Sequence, residues 1–185
     1  MPELRFPITD HDHVIGPADA LVTLVEYGDY QCPRCQAAQR EVGIILRQYR
    51  NELRYVFRHF PLTTVHPMAK PAAESAEFAG AHGMFWEMHT ALFLNSHRLS
   101  FPALLLIASQ LGLDPAELRM ALSQGTYSAK VEADFAGGVR SGVNGTPCFF
   151  INGRRHDGSY AAPALAAAIE SARQEAPAQK VHIRV

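Results

Sequence analysis

Two cysteines three residues apart, Cys32 and Cys35, have the residue type and spacing to do chemistry in this 185-residue chain. The pair follows an apolar run and opens a helical pattern at Pro33. A helix start presents unpaired N–H groups and a partial positive charge. A thiolate there is stabilised, its pKa falls below the free value of ~8.5, and it becomes both a nucleophile and a good leaving group near neutral pH. The spacing lets both sulfurs meet in one small ring. Cys32, nearer the helix end, reads as the nucleophile, and Cys35 as the thiol that closes the internal disulfide and releases the partner. A structural zinc site is the alternative for a Cys-x-x-Cys, but it needs two further ligands, usually a second Cys pair or a His pair, and there is no second Cys-x-x-Cys.

Other residues group around this pair in chain order. Glu26 lies six residues before Cys32, inside the apolar strand, where a carboxylate is costly unless paired or protonated. It reads either as a buried acid that moves the proton of Cys35 or as a salt-bridged residue at a strand end. Pro33 suits the first helical turn. Arg34 either lowers the Cys32 pKa by its charge or is a solvated surface arginine. Thr146-Pro147, after Gly145 and before an apolar strand, reads as a tight turn. There Pro147 is either cis or a trans residue opening an edge strand, and Thr146 can offer backbone groups to an extended substrate. Cys148 reads as a small buried hydrophobe rather than a third redox thiol. The histidines are scattered; His11-Asp12-His13 sits in an irregular lead-in and gives little reason to expect a metal.

The elements that must hold these residues follow from periodicity. Leu21–Tyr27 is a near-continuous apolar run, the mark of a strand covered on both faces. Val42, Ile45, Leu46 and Tyr49 recur at helical spacing after Pro33, and Leu53–Phe60 alternates as a strand. Strand, helix and strand in about forty residues make a βαβ unit. Residues 61–134 are rich in Ala, Leu and Met and lack strand-like runs. Helices are expected over Met68–Ala81, Met84–Leu94 and Ser100–Leu111, from Asp114 onward, and over Tyr127–Val139. Cys148–Ile151, Asn152-Gly153 and Arg154–His156 form a hairpin signal, followed by an Ala-rich helix over Tyr160–Arg173. Met1–Asp19 reads as irregular, and the closing VHIRV as an edge strand or a loose tail.

The formal net charge of −1 gives no electrostatic case for a nucleic-acid partner. No stretch approaches the ~18 apolar residues of a membrane span, and the N-terminus lacks the pattern of a signal peptide. With Met1 as the native start, the cytoplasm is the expected location; with a leader removed ahead of it, the periplasm. A monomer is expected. Three cysteines are too few for a structural disulfide framework.

Several separated motifs in order, VTLVEYGDYQCPRC, RHFPL with His66-Pro67, FWEMHTALF, LGLD and GVNGTPCFFING, resemble the DsbA-like thioredoxin-fold oxidoreductases over roughly Asp12–Arg173. The resemblance implies an α/β thioredoxin-like fold split by a helical insertion: 1–62 as the βαβ half, 63–134 as the insertion, 135–175 as the ββα half and 176–185 as a tail. It implies disulfide exchange with protein or peptide thiols and disulfides, a separate redox partner and no dissociable cofactor. Cys32 and Cys35 match the family's redox pair, Pro147 its cis-proline and Glu26 its buried acid. The Pro-Arg dipeptide departs from the Pro-His of the best-known oxidant, so oxidising strength does not carry over. Two other readings share the scaffold: an enzyme resembling kappa-class glutathione transferases or isomerases, which generally lack the Cys-x-x-Cys, and a non-catalytic chaperone-like binding module.

Overall fold

The computed structural model describes residues 2–175. Five strands form one sheet in the order β1-β3-β2-β4-β5. They are β1 His13–Ile15, β2 Val22–Gly28, β3 Leu53–His59, β4 Cys148–Ile151 and β5 Arg154–His156. The central pair β2 and β3 is parallel, with Glu26 level with Phe57, and helix α1 (Pro33–Gln48) connects them. The other pairings are antiparallel. Five α-helices lie between β3 and β4: α2 Ala69–Ala81, α3 Phe85–Leu94, α4 Phe101–Gln110, α5 Pro115–Gln124 and α6 Ser128–Arg140. Helix α7 (Ala162–Glu175) follows the hairpin and packs on α1, β2 and β4. This is the thioredoxin-type α/β arrangement that the sequence motifs imply.

Local chemistry sets the boundaries. Pro33 occupies the first turn of α1. The Ser100 hydroxyl accepts from the Ala103 N–H (3.3 Å) and the Asp114 carboxylate from the Ala116 N–H (2.7 Å), so each caps its helix. Asn152 and Gly153 both take positive φ (46° and 81°), as a two-residue hairpin turn of matching twist requires.

Side chains alternate across a strand, and here the alternation sorts the site. Val22 and Leu24 of β2, Leu53, Tyr55 and Phe57 of β3, and Phe149 and Ile151 of β4 join one core with Cys32, Cys35, α1, α7 and the helical block. Val25, Tyr27, Val56, Cys148 and Phe150 form a second core on the opposite face, closed by Phe60, Val143 and the N-terminal residues Leu4 and Ile8. Glu26 keeps step with Val22 and Leu24, and so points to the cysteine side. Helix α6 approaches the second face closely because Gly138 has no side chain. A Cβ there would lie 2.7 Å from the Phe60 ring.

The lead-in differs from the sequence expectation. His13–Ile15 is an edge strand paired with β3, and Glu3 bridges to Arg154. Three residues are too short to show a period. Their order comes from distant partners: the buried Arg58 guanidinium donates to both Asp12 carboxylate oxygens (2.7 and 2.9 Å) and to the Phe6 and Pro7 carbonyls. The VHIRV segment lies outside the described residues.

Candidate active site

Cys32 is the N-cap residue of α1, and Cys35 lies in its first turn. Cys35 is fully buried and Cys32 is 5% exposed. Both are free thiols. Pro33 has no N–H, so the first free donors of the helix are the N–H groups of Arg34 and Cys35. The Cys32 pKa is lowered to about 5, first by a hydrogen bond from the Cys35 thiol, against the opposing effect of burial, and then by the Thr146 side chain and those two N–H groups. Arg34 therefore acts on Cys32 through its backbone, while its side chain is exposed. As a thiol, Cys32 donates to the Thr146 carbonyl at 3.6 Å. In that state the buried Thr146 hydroxyl has no partner, which leaves it free to donate once the sulfur is an anion. The Thr146–Pro147 peptide is cis.

Cys35 is pushed the other way. Burial raises its pKa well above the ordinary thiol value, and its hydrogen bond to Cys32 and the negative charge of Glu26 add to this. One sulfur is set up to be an anion and its neighbour to keep a proton. Pairs of titratable groups driven apart by their surroundings are a mark of acid–base and nucleophilic sites. Cys148, by contrast, faces the second core and is itself raised by burial.

Glu26 is completely buried beneath the cysteines. Burial raises its carboxyl to about 7, although the Tyr55 hydroxyl donates to it at 2.7 Å and the Gln39 amide at 3.3 and 3.4 Å. The Gln39 amide oxygen meets His89 Nε2 at 3.1 Å, and His89 Nδ1 meets the Tyr30 hydroxyl at 3.1 Å. Burial lowers His89 to about 3, so its imidazole is neutral. Gln39, Tyr55 and His89 also line a cleft of about 450 Å³ beside Trp86 and Phe93.

The loop between β2 and α1 is held by Asp29. Its carboxylate accepts from the Gln31 N–H (2.8 Å) and the Leu62 N–H (2.9 Å) and pairs with His66 (2.8 Å), while its own N–H reaches Cys35 Sγ at 3.5 Å. Sequence reasoning did not single out Asp29, Tyr30, Gln39 or Tyr55 and left His89 among the scattered histidines. For Tyr55 and His89, one available signal was a polar atom predicted within a buried element, the signal that did single out Glu26. One group of described residues has the ligand types of a metal centre: His13, His59 and Glu77, with ligating atoms within 4.8 Å. Its carboxylate oxygen is already engaged by both imidazoles (2.9 and 2.8 Å), with Lys130 at 3.8 Å, so the cluster ties β1 and β3 to α2.

A Cys-x-x-Cys with one depressed and one raised thiol, at the head of the helix that follows a central parallel strand, defines a dithiol–disulfide site on a thioredoxin-type scaffold. A thioredoxin family model matches residues 9–171, and the chain belongs to that family. The fold is similar to a thioredoxin-like oxidoreductase from Silicibacter pomeroyi DSS-3, at 28% identity and TM-score 0.77 over 90% of this chain and 94% of that one. It is also similar to Wolbachia pipientis alpha-DsbA1, at 20% identity and TM-score 0.80 over 94% and 96%. A curated relative, the Na(+)/H(+) antiporter NhaA 1 of Salinispora arenicola, is 47% identical over 171 residues, which are 92% of this chain and 26% of the antiporter. The chain spans about a quarter of the length of the curated relatives it matches. Among the described residues no helix is long and apolar enough to cross a membrane.

Proposed function

We propose that this chain is a thiol–disulfide oxidoreductase acting on protein or peptide thiols and disulfides through Cys32 and Cys35. The opposed ionisation of the two sulfurs carries this reading. The Cys32 thiolate attacks a substrate disulfide, forming a mixed disulfide and releasing one substrate sulfur as a thiolate. Cys35 gives its proton to the Glu26 carboxylate, and its thiolate attacks Cys32 Sγ. The Cys32–substrate bond breaks, and the second substrate sulfur leaves. The substrate disulfide is thereby reduced to a dithiol, and the enzyme dithiol is oxidised to a disulfide. The reverse sequence oxidises a substrate dithiol. The direction depends on the potential of the pair against that of its surroundings. An extended substrate segment lies along Thr146 and Pro147, which flank Cys32.

Insulin reduction with wild type, Cys32→Ser and Cys35→Ser tests this. Turnover by wild type, its loss in both variants and a mixed disulfide trapped on Cys32 by Cys35→Ser are expected. Full turnover by Cys32→Ser refutes the assignment. Stimulation by glutathione alone favours the transferase-like alternative, and a redox-inactive wild type that suppresses aggregation favours a binding module.

A further inference from the structure

With Glu26 ionised, the polar chain behind it has only one arrangement of its protons. An ionised carboxylate only accepts hydrogen bonds, so the Gln39 amide nitrogen faces Glu26 and its oxygen faces His89. That oxygen needs a donor, so His89 carries its proton on Nε2. The neutral ring then accepts at Nδ1, and the Tyr30 hydroxyl donates to it. Tyr30, His89 and Gln39 therefore pass three donors in a single direction over links of 3.1, 3.1 and 3.3 Å, with Tyr55 donating from the other side.

We propose that Tyr30 and His89 are positioning residues for disulfide exchange: their one-way chain through Gln39 keeps Glu26 an ionised acceptor for the Cys35 proton. The inference rests on the oxidoreductase reading and adds to it a control of the second chemical step. His89 itself does not titrate in the working range, because it is buried and neutral. It acts by fixing which way Gln39 points. Without His89 the amide is free to rotate. Without the Tyr30 hydroxyl the imidazole loses the donor that holds Nδ1 as an acceptor, and the tautomer with its proton on Nε2 is favoured less. The groups facing Glu26 are Tyr55 from β3, Cys35 and Gln39 from α1 and Tyr30 from the loop after β2, while its β4 neighbour Phe149 is uncharged. Farther out, His59 and His13 act on His89, and Glu77 and Asp134 act on Tyr30.

The test compares wild type, Tyr30→Phe and His89→Leu in two measurements. One is the pH dependence of Cys35 closing on a preformed mixed disulfide. The other is the infrared titration of the buried carboxyl, assigned with Glu26→Gln. Ultraviolet absorbance of the Cys32 thiolate is followed alongside. Weakening the donors to a carboxylate raises its pKa, so the closure midpoint and the carboxyl titration should move up together. The expected shift is roughly half a pH unit for His89→Leu and a few tenths for Tyr30→Phe. The Cys32 midpoint should stay fixed, whereas a general loosening of the fold moves it as well. A carboxyl titrating as in wild type in both variants overturns the proposal, as does a shift of Cys32 alone. Tyr30→Phe removes one hydroxyl and keeps the ring, so it answers the question if His89→Leu fails to fold. A wild-type protein in which Cys35 never closes overturns the oxidoreductase reading itself, which is a different result from closure that ignores these substitutions.

Discussion

Replacing Cys35 with alanine should raise the pKa of Cys32, because the Cys35 thiol is the largest single cause of its depression. A hydrogen bond to a charged group contributes about 1.5–3 kcal/mol, equivalent to ~1–2 pH units. Cys32 should therefore move from about 5 to roughly 6–7, with the Thr146 side chain and the N–H groups of Arg34 and Cys35 holding the remainder of the shift. At pH 6 the thiolate fraction should fall from ~90% to between about 10% and 50%. Thiolate absorbance and the rate of iodoacetamide alkylation across pH both measure this. The same shift appears in stability. The folded pKa, about 5, lies below the ordinary value of 9.0, so the reduced protein gains stability that is fully present above 9 and lost as pH falls through 5. At pH 7 the gain is on the order of 2–3 kcal/mol, and ~1–2 kcal/mol after a discount for water at the sulfur. The oxidised protein has no thiolate and lacks this gain, which makes the pair about 20–40 mV more oxidising than an unperturbed one. If Cys35→Ala still ionises near 5, the helix end and Thr146 suffice and the inter-sulfur bond is not the main cause. If wild-type Cys32 ionises near 9, the whole account of the nucleophile fails.

Glu26→Gln should stabilise the protein at alkaline pH while slowing closure by Cys35. The folded carboxyl is raised from 4.5 to about 7, so the stability of the wild type is full below 4.5 and lost as pH rises through 7. The variant should gain about 1–3 kcal/mol at pH 8 and little at pH 4 in denaturant unfolding; equal effects at both pH values contradict the assignment. Asp12→Ala strips the buried Arg58 of its carboxylate and should cost about 3 kcal/mol, a fall of ~6–12 °C in the thermal midpoint; a smaller fall means the Phe6 and Pro7 carbonyls suffice for Arg58. Cys148→Ala should keep wild-type turnover, because Cys148 faces the other side of the sheet, and loss of turnover in a folded variant contradicts that placement.

How much of this was legible in the sequence depended on the range of the interactions. The central strands, α1, the helical block and the hairpin each carry a local pattern: apolar runs, helical spacing, capping Ser100 and Asp114, and Asn152-Gly153. Their ends fell within one or two residues of the expected places. Edge strand β1 has no such pattern. It depends on Asp12 meeting Arg58, 46 positions away, and on His13 meeting Glu77, 64 positions away. The site divides in the same way. Cys32, Cys35 and Pro147 stand in recognisable local contexts, and Glu26 stood out as a charge in an apolar run. Tyr30 and Gln39 showed nothing individually, and His89 showed only a polar ring within an apolar helix, since a tyrosine, a glutamine and a histidine on separate elements become a network only once α3 is packed against α1.

The two sulfurs, only three residues apart, owe their opposite behaviour to the geometry of one helix turn. Cys32 sits at the N-cap of α1, facing the free N–H groups of Arg34 and Cys35, whereas the Cys35 side chain, three residues on, turns into the core beneath, where burial holds its proton. The strand alternation then decides what lies beneath. Glu26 points to that side with Val22 and Leu24, while Tyr27 points to the other, so a one-residue shift of β2 that brought Tyr27 to the place of Glu26 would put an aromatic ring under the cysteines and the carboxylate in the second core, opposite Phe150. The parallel register with β3, which sets Glu26 level with Phe57, also brings the Tyr55 hydroxyl within 2.7 Å of the carboxylate. Strand register and helix start thus together fix which carboxylate lies beneath Cys35. In the proposed exchange that coupling accounts for a costly buried acid at the centre of the sheet, from where it faces the sulfur that would give up its proton.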